Sequence, residues 1–447
     1  MLNNFFNSKL FFFTNDIYIK KLVFYGLLLR FLITAIFYTN ITIFPDSGSF
    51  MELAEYMLRF DLSGYIGKRS PGYSFLLFLA FGRCAVAVLY QFFIGVFTFV
   101  IVYKTIVNLK FLNKNSFVLT IFLQSFLNVF FFETSILIET LSLFFMVLLM
   151  YEISKGYLEK SSFKTDLWMG FILGYLVLIK PFYAYIGFLV FGLYVLNDFK
   201  WKKLISQKLI ILIFPLMAYF GWSYVNKINT GHFVSTTFVG LNISQNCVYF
   251  AEKGPKKYDW IMKPYVQARE ARATENKNLA MSVWEAEDKE LKYKMPYFPD
   301  LSAELGKYAV ETIKMNPTYY LKQVIFRSWF DFWKPWITWE YDEFNFKYAN
   351  KPFLLVWYFQ ALILITFNLL FMGITFGSIR DFFRTRKVSF EFFGLVLVWA
   401  SSILQALATY GTNAKYRFPF EFIIFLVVIL FFRRKNWIPK PLHTFLQ

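Results

Sequence analysis

The chain is poor in histidine, cysteine and acid. Its only histidines are His232 and His443, so a hydrolase or acyltransferase built on a histidine base would have to use His232. Cys84 and Cys247 are the only cysteines, one in an apolar run and one in a loop, which argues against a disulfide framework and against a thiolate metal site. Charged residues make up 17% of the chain, where a soluble domain carries about 25%. Asp and Glu number only 29 against 47 Lys and Arg. No P-loop and no Gly-rich dinucleotide fingerprint occurs. An Asp-x-Asp pair after the first apolar run is also missing, which weakens any case for a divalent metal; no metal and no cofactor is expected. No internal repeat or low-complexity linker divides the 447 residues.

Apolar surface is what the chain has in excess. Hydrophobic residues reach 57%, aromatic residues 23%, and mean hydropathy is +0.45. Polar residues this scarce cannot cover so much apolar surface, so lipid must cover it. Several runs approach the roughly 20 residues needed to cross a hydrocarbon core. The net charge of +18 would suit nucleic acid, but its distribution does not. Lys200, Lys202 and Lys203 form one short cluster, Arg380, Arg384, Arg386 and Lys387 a second, and Arg433, Arg434 and Lys435 a third. Each lies between or after apolar runs, as the positive-inside bias predicts. The partner expected is a bilayer, not a nucleic acid.

The expected fold is an all-α polytopic membrane protein with about ten transmembrane helices. The apolar runs are 22–38, 85–106, 116–132, 135–151, 167–180, 182–198, 208–226, 352–376, 389–409 and 418–432, with Pro181 separating two that would otherwise merge. Connections 104–115, 152–166, 199–208 and 377–388 and both termini are rich in Lys and Arg and are assigned to the cytoplasm. The chain then divides into a transmembrane module (1–226) with a first outer loop (41–84), a small, mainly helical extracytoplasmic domain (227–351), and a second transmembrane module (352–447). In the first outer loop, Ser49 and Glu52 have capping-box spacing, and Phe50, Leu53, Ala54, Met57 and Leu58 recur at helical intervals, which predicts an interfacial helix. Residues 73–82 are apolar but too short to span, and predict a second interfacial or re-entrant piece.

Ionisable residues near these boundaries are the candidates for chemistry. Asp46, directly after the first span, could take a proton from an attacking hydroxyl or simply start a helix. Glu133 and Glu139 border the fourth apolar run, where charge is costly and functional by default; Glu139 is the deeper, and Glu133 could sit at the water boundary. Lys68 and Arg69 place two cations on the outer side, suited to a phosphate or to lipid headgroups. Lys180, before Pro181, is a phosphate contact or a snorkelling lysine. Lys415 and Arg417 again put basic groups on the outer side.

The order of these features resembles the GT-C glycosyltransferases, polytopic enzymes that use polyprenyl-phosphate sugars and include protein O-mannosyltransferases and lipid A aminoarabinose transferase. Asp46, then Leu53-Ala54, then Arg69-Ser70-Pro71-Gly72-Tyr73 is similar to their first outer loop. Leu137-Ile138-Glu139-Thr140-Leu141 looks like their second acidic position, and Leu178-Ile179-Lys180-Pro181 their Leu-x-Arg-Pro element with Lys for Arg. Asn229-Thr230-Gly231-His232-Phe233 and Asn316-Pro317-Thr318-Tyr319-Tyr320-Leu321 resemble the two ends of their large outer loop. Lys415-Tyr416-Arg417-Phe418-Pro419 resembles their Arg-Tyr-Arg-x-Pro element. The first loop departs from the family in having Asp46-Ser47 where an Asp-Glu pair is common.

The resemblance implies one-step inverting transfer of a sugar from a polyprenyl phosphate to a hydroxyl of a lipid, glycan or protein, on the outer face of the inner or plasma membrane. It implies Asp46 as base with Glu139 in support, and Lys68, Arg69, Tyr73, Glu133, Lys180, Lys415, Tyr416 and Arg417 as substrate-binding residues. Two other readings stay open. One is an O-antigen-type polymerase or ligase relying on outer-loop arginines such as Arg327; the other is a flippase or transporter of lipid-linked sugar.

Overall fold

The computed structural model describes residues 16–37, 40–160, 162–199, 201–337, 344–411 and 413–435. Tyr38, Lys200 and His443 lie outside the described residues. The structure is 80% helical, and no strand forms among the described residues; one parallel bridge joins Thr42 to Ser135. The all-α membrane class expected from composition is what the chain adopts.

Helices α1 (Ile17–Ile36), α2 (Pro45–Leu58), α3 (Pro71–Leu79) and α4 (Cys84–Asn108) are followed by a broken pair, α5 (Asn113–Gln124) and α6 (Leu127–Glu133), bent by 62°. Next come α7 (Glu139–Ser154), α8 (Phe163–Ile179), α9 (Ala184–Leu196) and α10 (Ile213–Thr230). The segment after α10 is built from short helices, of which α11 (Val239–Gln245), α12 (Asp259–Thr274) and α13 (Phe298–Met315) are the main ones. The long α14 (Asn350–Thr385), then α15 (Phe390–Ala408) and α16 (Glu421–Arg434), complete the fold.

Ten crossings are not what the helices support. Four are long and apolar enough to cross a bilayer, Cys84–Asn108, Gln207–Thr230, Asn350–Thr385 and Phe390–Ala408, or five if the bent α5–α6 pair counts as one span. The other expected spans fail on length or charge. The 13 to 17 residues of α7, α8, α9 and α16 reach only about 20–26 Å at 1.5 Å per residue, short of a hydrocarbon core of about 30 Å. The 20-residue α1 has the length but carries Lys20, Lys21 and Arg30.

Two cores form. The larger unites the apolar faces of α4 to α9 with those of α14 to α16. A separate one, around Leu241, Phe250, Ile261, Tyr265, Leu301, Leu305 and Tyr308, holds the 239–315 segment together. The expected capping box at Ser49 and Glu52 does not form. The helix starts four residues earlier, because Pro45 at its first position has the required φ built in and no N–H to satisfy. Phe44 N donates to Ser47 Oγ, Ser49 Oγ donates back to the Asp46 carbonyl, and Glu52 is engaged by Lys68 instead.

Between α6 and α7 the helix is interrupted over residues 134–138, so Glu133 ends one helix and Glu139 begins the next. Backbone freed inside an apolar core must find other partners. Gln91 Nε2 donates to the Glu133 and Ser135 carbonyls, Ser47 Oγ donates to the Ile136 carbonyl, and Thr42 exchanges backbone hydrogen bonds with Thr134 and Ile136. Glu133 does not sit at the water boundary. It is buried, and Arg30 of α1 grips it with Nε at 2.7 Å and Nη2 at 2.5 Å. Gly95 makes room for this pair, since a Cβ there would lie 1.8 Å from Glu133 Oε1.

Removing one partner of a buried ion pair strands the other charge. Glu133→Leu is expected to cost about 3–5 kcal/mol of stability, most of it recovered in the Arg30→Met, Glu133→Leu double variant. Unfolding of the three proteins in detergent checks this, and a Glu133→Leu midpoint equal to wild type contradicts it.

Candidate functional site

A cavity of about 650 Å³ lies where the 46–70 segment, the α6–α7 break, the C-terminal end of α8, the 235–243 segment, α13 and the turn before α16 meet. Its volume falls within the usual range for sites that enclose a small molecule. Most of its wall is apolar, with Phe50, Leu137, Ile179, Phe238, Ile313 and Leu407 among the contributors. Five cations line it, Lys68, Arg69, Lys180, Lys314 and Lys415, against two carboxylates, Asp46 and Glu139.

Local chemistry delivers each group. Asp46 sits in the first turn of α2, where the helix dipole favours a negative charge. Arg69 ends a loop clasped on several sides: Tyr65 Oη and Trp222 Nε1 both donate to the Arg69 carbonyl, and Thr236 Oγ1 donates to that of Lys68. Gly67, at φ +72°, takes a left-handed conformation against Thr237 and Asn226. Gly72 brings α3 onto the end of α8, for a Cβ there would lie 2.5 Å from the Ile179 nitrogen. Ser70 Oγ donates to the Ile179 carbonyl across the same junction. Pro181 ends α8 and leaves Lys180 extended at its C-cap. Lys415 belongs to a short helical turn, Asn413–Tyr416, held against the outer segment by Asn413, whose backbone N–H donates to Asp331 and whose side-chain amide donates to the Ser328 carbonyl.

At the centre, Arg69 Nη2 donates to Asp46 Oδ1 at 2.6 Å and Lys415 Nζ donates to Asp46 Oδ2 at 2.9 Å. Arg69 is further fixed by Nε donating to Ser49 Oγ at 2.7 Å, and its guanidinium lies between the Phe50 and Phe238 rings. The Asp46 side chain keeps 39% of its surface open and lines a site whose walls are largely apolar. Burial pushes its carboxyl up, but the Lys415 ammonium and the Arg69 guanidinium outweigh it and hold the group well below the usual carboxylate range. Burial likewise pushes the Lys415 ammonium down, while Asp46 and then Glu139 outweigh it and raise the group above an ordinary lysine.

Glu139 is buried at the start of α7 and lines the cavity, with Oε2 free of any hydrogen-bond partner. Lys415 and Lys180 are the cations that act on it. Lys180 Nζ donates to Gln405 Oε1 at 3.2 Å and lies over the Tyr416 ring, 3.1 Å from its centroid. Lys68 donates to Glu52 at 3.3 Å.

Asp46, Lys68, Arg69, Glu139, Lys180, Lys415 and Tyr416 therefore converge. Three expected substrate-binding residues do not line the cavity. Tyr73 is fully buried beneath it and donates to Gln91. Glu133 is taken by Arg30. Arg417 is fully buried on the far side of the turn, where Nη2 donates to Glu421 at 2.6 Å and Nη1 to the Trp333 carbonyl. Arg327 lies over the Tyr249 ring, and His232 meets Asp300 at 2.7 Å; neither lines the cavity. Gln405, Phe238 and Lys314 line it without having been singled out in the sequence. Among the described residues no group of three His, Cys, Asp or Glu side chains could hold a metal ion. No protein-family model, no curated protein and no solved structure matches the chain.

Asp46 is depressed and Lys415 raised, so the pair stabilises the fold above ordinary carboxylate titration near pH 4 and below ordinary lysine titration near pH 10. That contribution is lost only as pH falls through the lowered Asp46 value or rises through the raised Lys415 value. Between about pH 5 and 10 the pair is expected to stay charged. Lys415→Met removes one of the two cations and should move loss of the Asp46 carboxylate infrared band to higher pH. An unchanged titration in that variant contradicts the assignment.

Proposed function

We propose that the chain is an inverting glycosyltransferase that moves a sugar from a polyprenyl-phosphate donor to an acceptor hydroxyl at the outer face of the membrane. One observation carries this reading: five cations face two carboxylates inside a cavity whose walls are mostly apolar. Such a site suits a ligand that is both anionic and greasy. A phosphate takes charge-assisted hydrogen bonds from Arg and Lys, and an isoprenoid chain takes the apolar wall. The order of short motifs along the chain points the same way.

In this reading Arg69, Lys415 and Lys180 hold the donor phosphate and stabilise the charge that grows on it as the sugar leaves. The bond from the anomeric carbon to the phosphate oxygen breaks, and a bond to the acceptor oxygen forms on the opposite face. Asp46 takes the acceptor's proton, and the electron pair of the broken bond stays on the phosphate. Glu139, which lines the cavity and has one buried oxygen without a hydrogen-bond partner, accepts a hydrogen bond from a sugar hydroxyl. The helices of residues 239–333 cap the site on the outer side, and the amphipathic α2 and short α3 lie at the membrane surface.

Purified protein given a polyprenyl-phosphate sugar is expected to form a glycosidic product. Asp46→Asn should lower that transfer by about 10²- to 10⁴-fold while the protein stays folded. Glu139→Gln should lose most of the activity as well. Full transfer by Asp46→Asn, or lipid translocation across vesicles with no transfer from any tested donor, contradicts the reading.

A further inference from the structure

The base proposed above is poorly placed to act as the structure holds it. A general base works best when its proton affinity lies near the operating pH. Asp46 instead has one oxygen on Arg69 and the other on Lys415, both in charge-assisted hydrogen bonds. The two cations are equally committed. Lys415 makes its hydrogen bond to Asp46, and the Arg69 guanidinium spends Nη2 on Asp46 and Nε on Ser49 between two aromatic rings. A carboxylate fixed in that way neither takes a proton readily nor leaves its cations available.

The same three groups come from remote parts of the chain, and each is anchored independently of the others. The α2 start is set by Pro45 and Ser47, the Arg69 backbone by Tyr65 and Trp222, and the Lys415 turn by Asn413 with Asp331 and Ser328. The backbones that carry the two cations are therefore held without the Asp46 carboxylate, and the Arg69 guanidinium also has Ser49, Phe50 and Phe238, while the Lys415 ammonium has Asp46 as its hydrogen-bond partner. They form a preorganised anion site on which an internal anion sits.

We propose that Asp46 is a built-in competitor for this anion site: a ligand phosphate displaces its carboxylate from Arg69 and Lys415, and only then does Asp46 face the cavity as a free base. The proposal rests on reading the cavity as a site for a lipid-linked phosphate. The donor's phosphate is a diester with one negative charge on two free oxygens, as many as a carboxylate, so it can replace Asp46 on both cations at once, while its apolar chain adds contacts with the wall that the carboxylate lacks. Once released, Asp46 has apolar walls and the Glu139 carboxylate as neighbours, and both raise its affinity for a proton. Displacement therefore couples donor binding to base activation. The donor must bind before the acceptor's proton can be taken, so an acceptor hydroxyl reaching the cavity first meets no free base.

The competition makes an unusual demand on the variants. Calorimetric titration of the purified full-length protein with dodecyl phosphate, and separately with inorganic phosphate, should show about ten-fold or greater tightening of phosphate in Asp46→Asn, because one charge-assisted competitor has been removed. Lys415→Met should weaken binding by a similar factor. Asp46→Asn should at the same time be inactive in transfer, so affinity and activity move in opposite directions. In wild type, dodecyl phosphate should also raise the pH at which the Asp46 carboxylate infrared band is lost, a readout that needs no variant. Equal or weaker phosphate binding by a folded Asp46→Asn, or an Asp46 band unmoved by bound phosphate, overturns the proposal alone. Binding of inorganic phosphate as tight as dodecyl phosphate overturns the lipid-linked reading and leaves the displacement standing. No binding of either phosphate to wild type or Asp46→Asn overturns both.

Discussion

The site depends on one carboxylate held by two cations. Asp46 belongs to the first turn after the N-terminal helix, Arg69 to the loop that follows, and Lys415 to the last turn before the final helix. Their two hydrogen bonds tie the beginning of the chain to its end. Everything around the cavity serves to bring them to one point. Gly72 lets a short helix press against the end of α8, Pro181 stops that helix at Lys180, and the amides of Asn246 and Asn413 pin the 406–413 backbone to the outer segment.

Burying charge in an apolar protein is costly, and the structure meets that cost in two distinct ways. Outside the cavity, some buried charges are paired and closed off, as in Arg30 with Glu133 and Arg417 with Glu421 and Asn128. Such pairs satisfy the interior but offer nothing to a ligand. Inside the cavity the matching is incomplete: the cations outnumber the acids, Lys180 donates to an amide and lies against the Phe182, Tyr183 and Tyr416 rings, and one oxygen of Glu139 has no hydrogen-bond partner. That imbalance separates a binding site from a structural ion pair.

Much of this was legible in the residues, and the failures share a cause. A charged residue beside an apolar run is conspicuous, so Asp46, Lys68, Arg69, Glu139, Lys180 and Lys415 could be picked out, and all seven residues that converge, with Tyr416, were among the candidates. What one sequence does not carry is the partner each charge finds. Glu133 read as a weaker candidate than Glu139, one that could sit at the water boundary, and nothing near it in the sequence announced that Arg30, 103 residues away, would claim it. Tyr73 is drawn inward by Gln91. Arg417 carried a readable warning, since Glu421 lies one helical turn on, at the spacing that favours a pair. Gln405 was readable as well, being a polar side chain within the apolar run 389–409. The count of spans failed for a different reason. Hydropathy registers apolar runs, but several of these fold into helices too short for a hydrocarbon core, and one is broken by a 62° bend.

The central claim is that the cavity takes a phosphate attached to a long apolar chain. Mass spectrometry of the lipids released from the purified protein tests it most directly, comparing wild type with an Arg69→Ala, Lys415→Met variant of equal fold stability. The account predicts a polyprenyl phosphate bearing one sugar, enriched over the surrounding membrane and lost from the variant. Bulk phospholipids in membrane proportions, the same in both proteins, would contradict it.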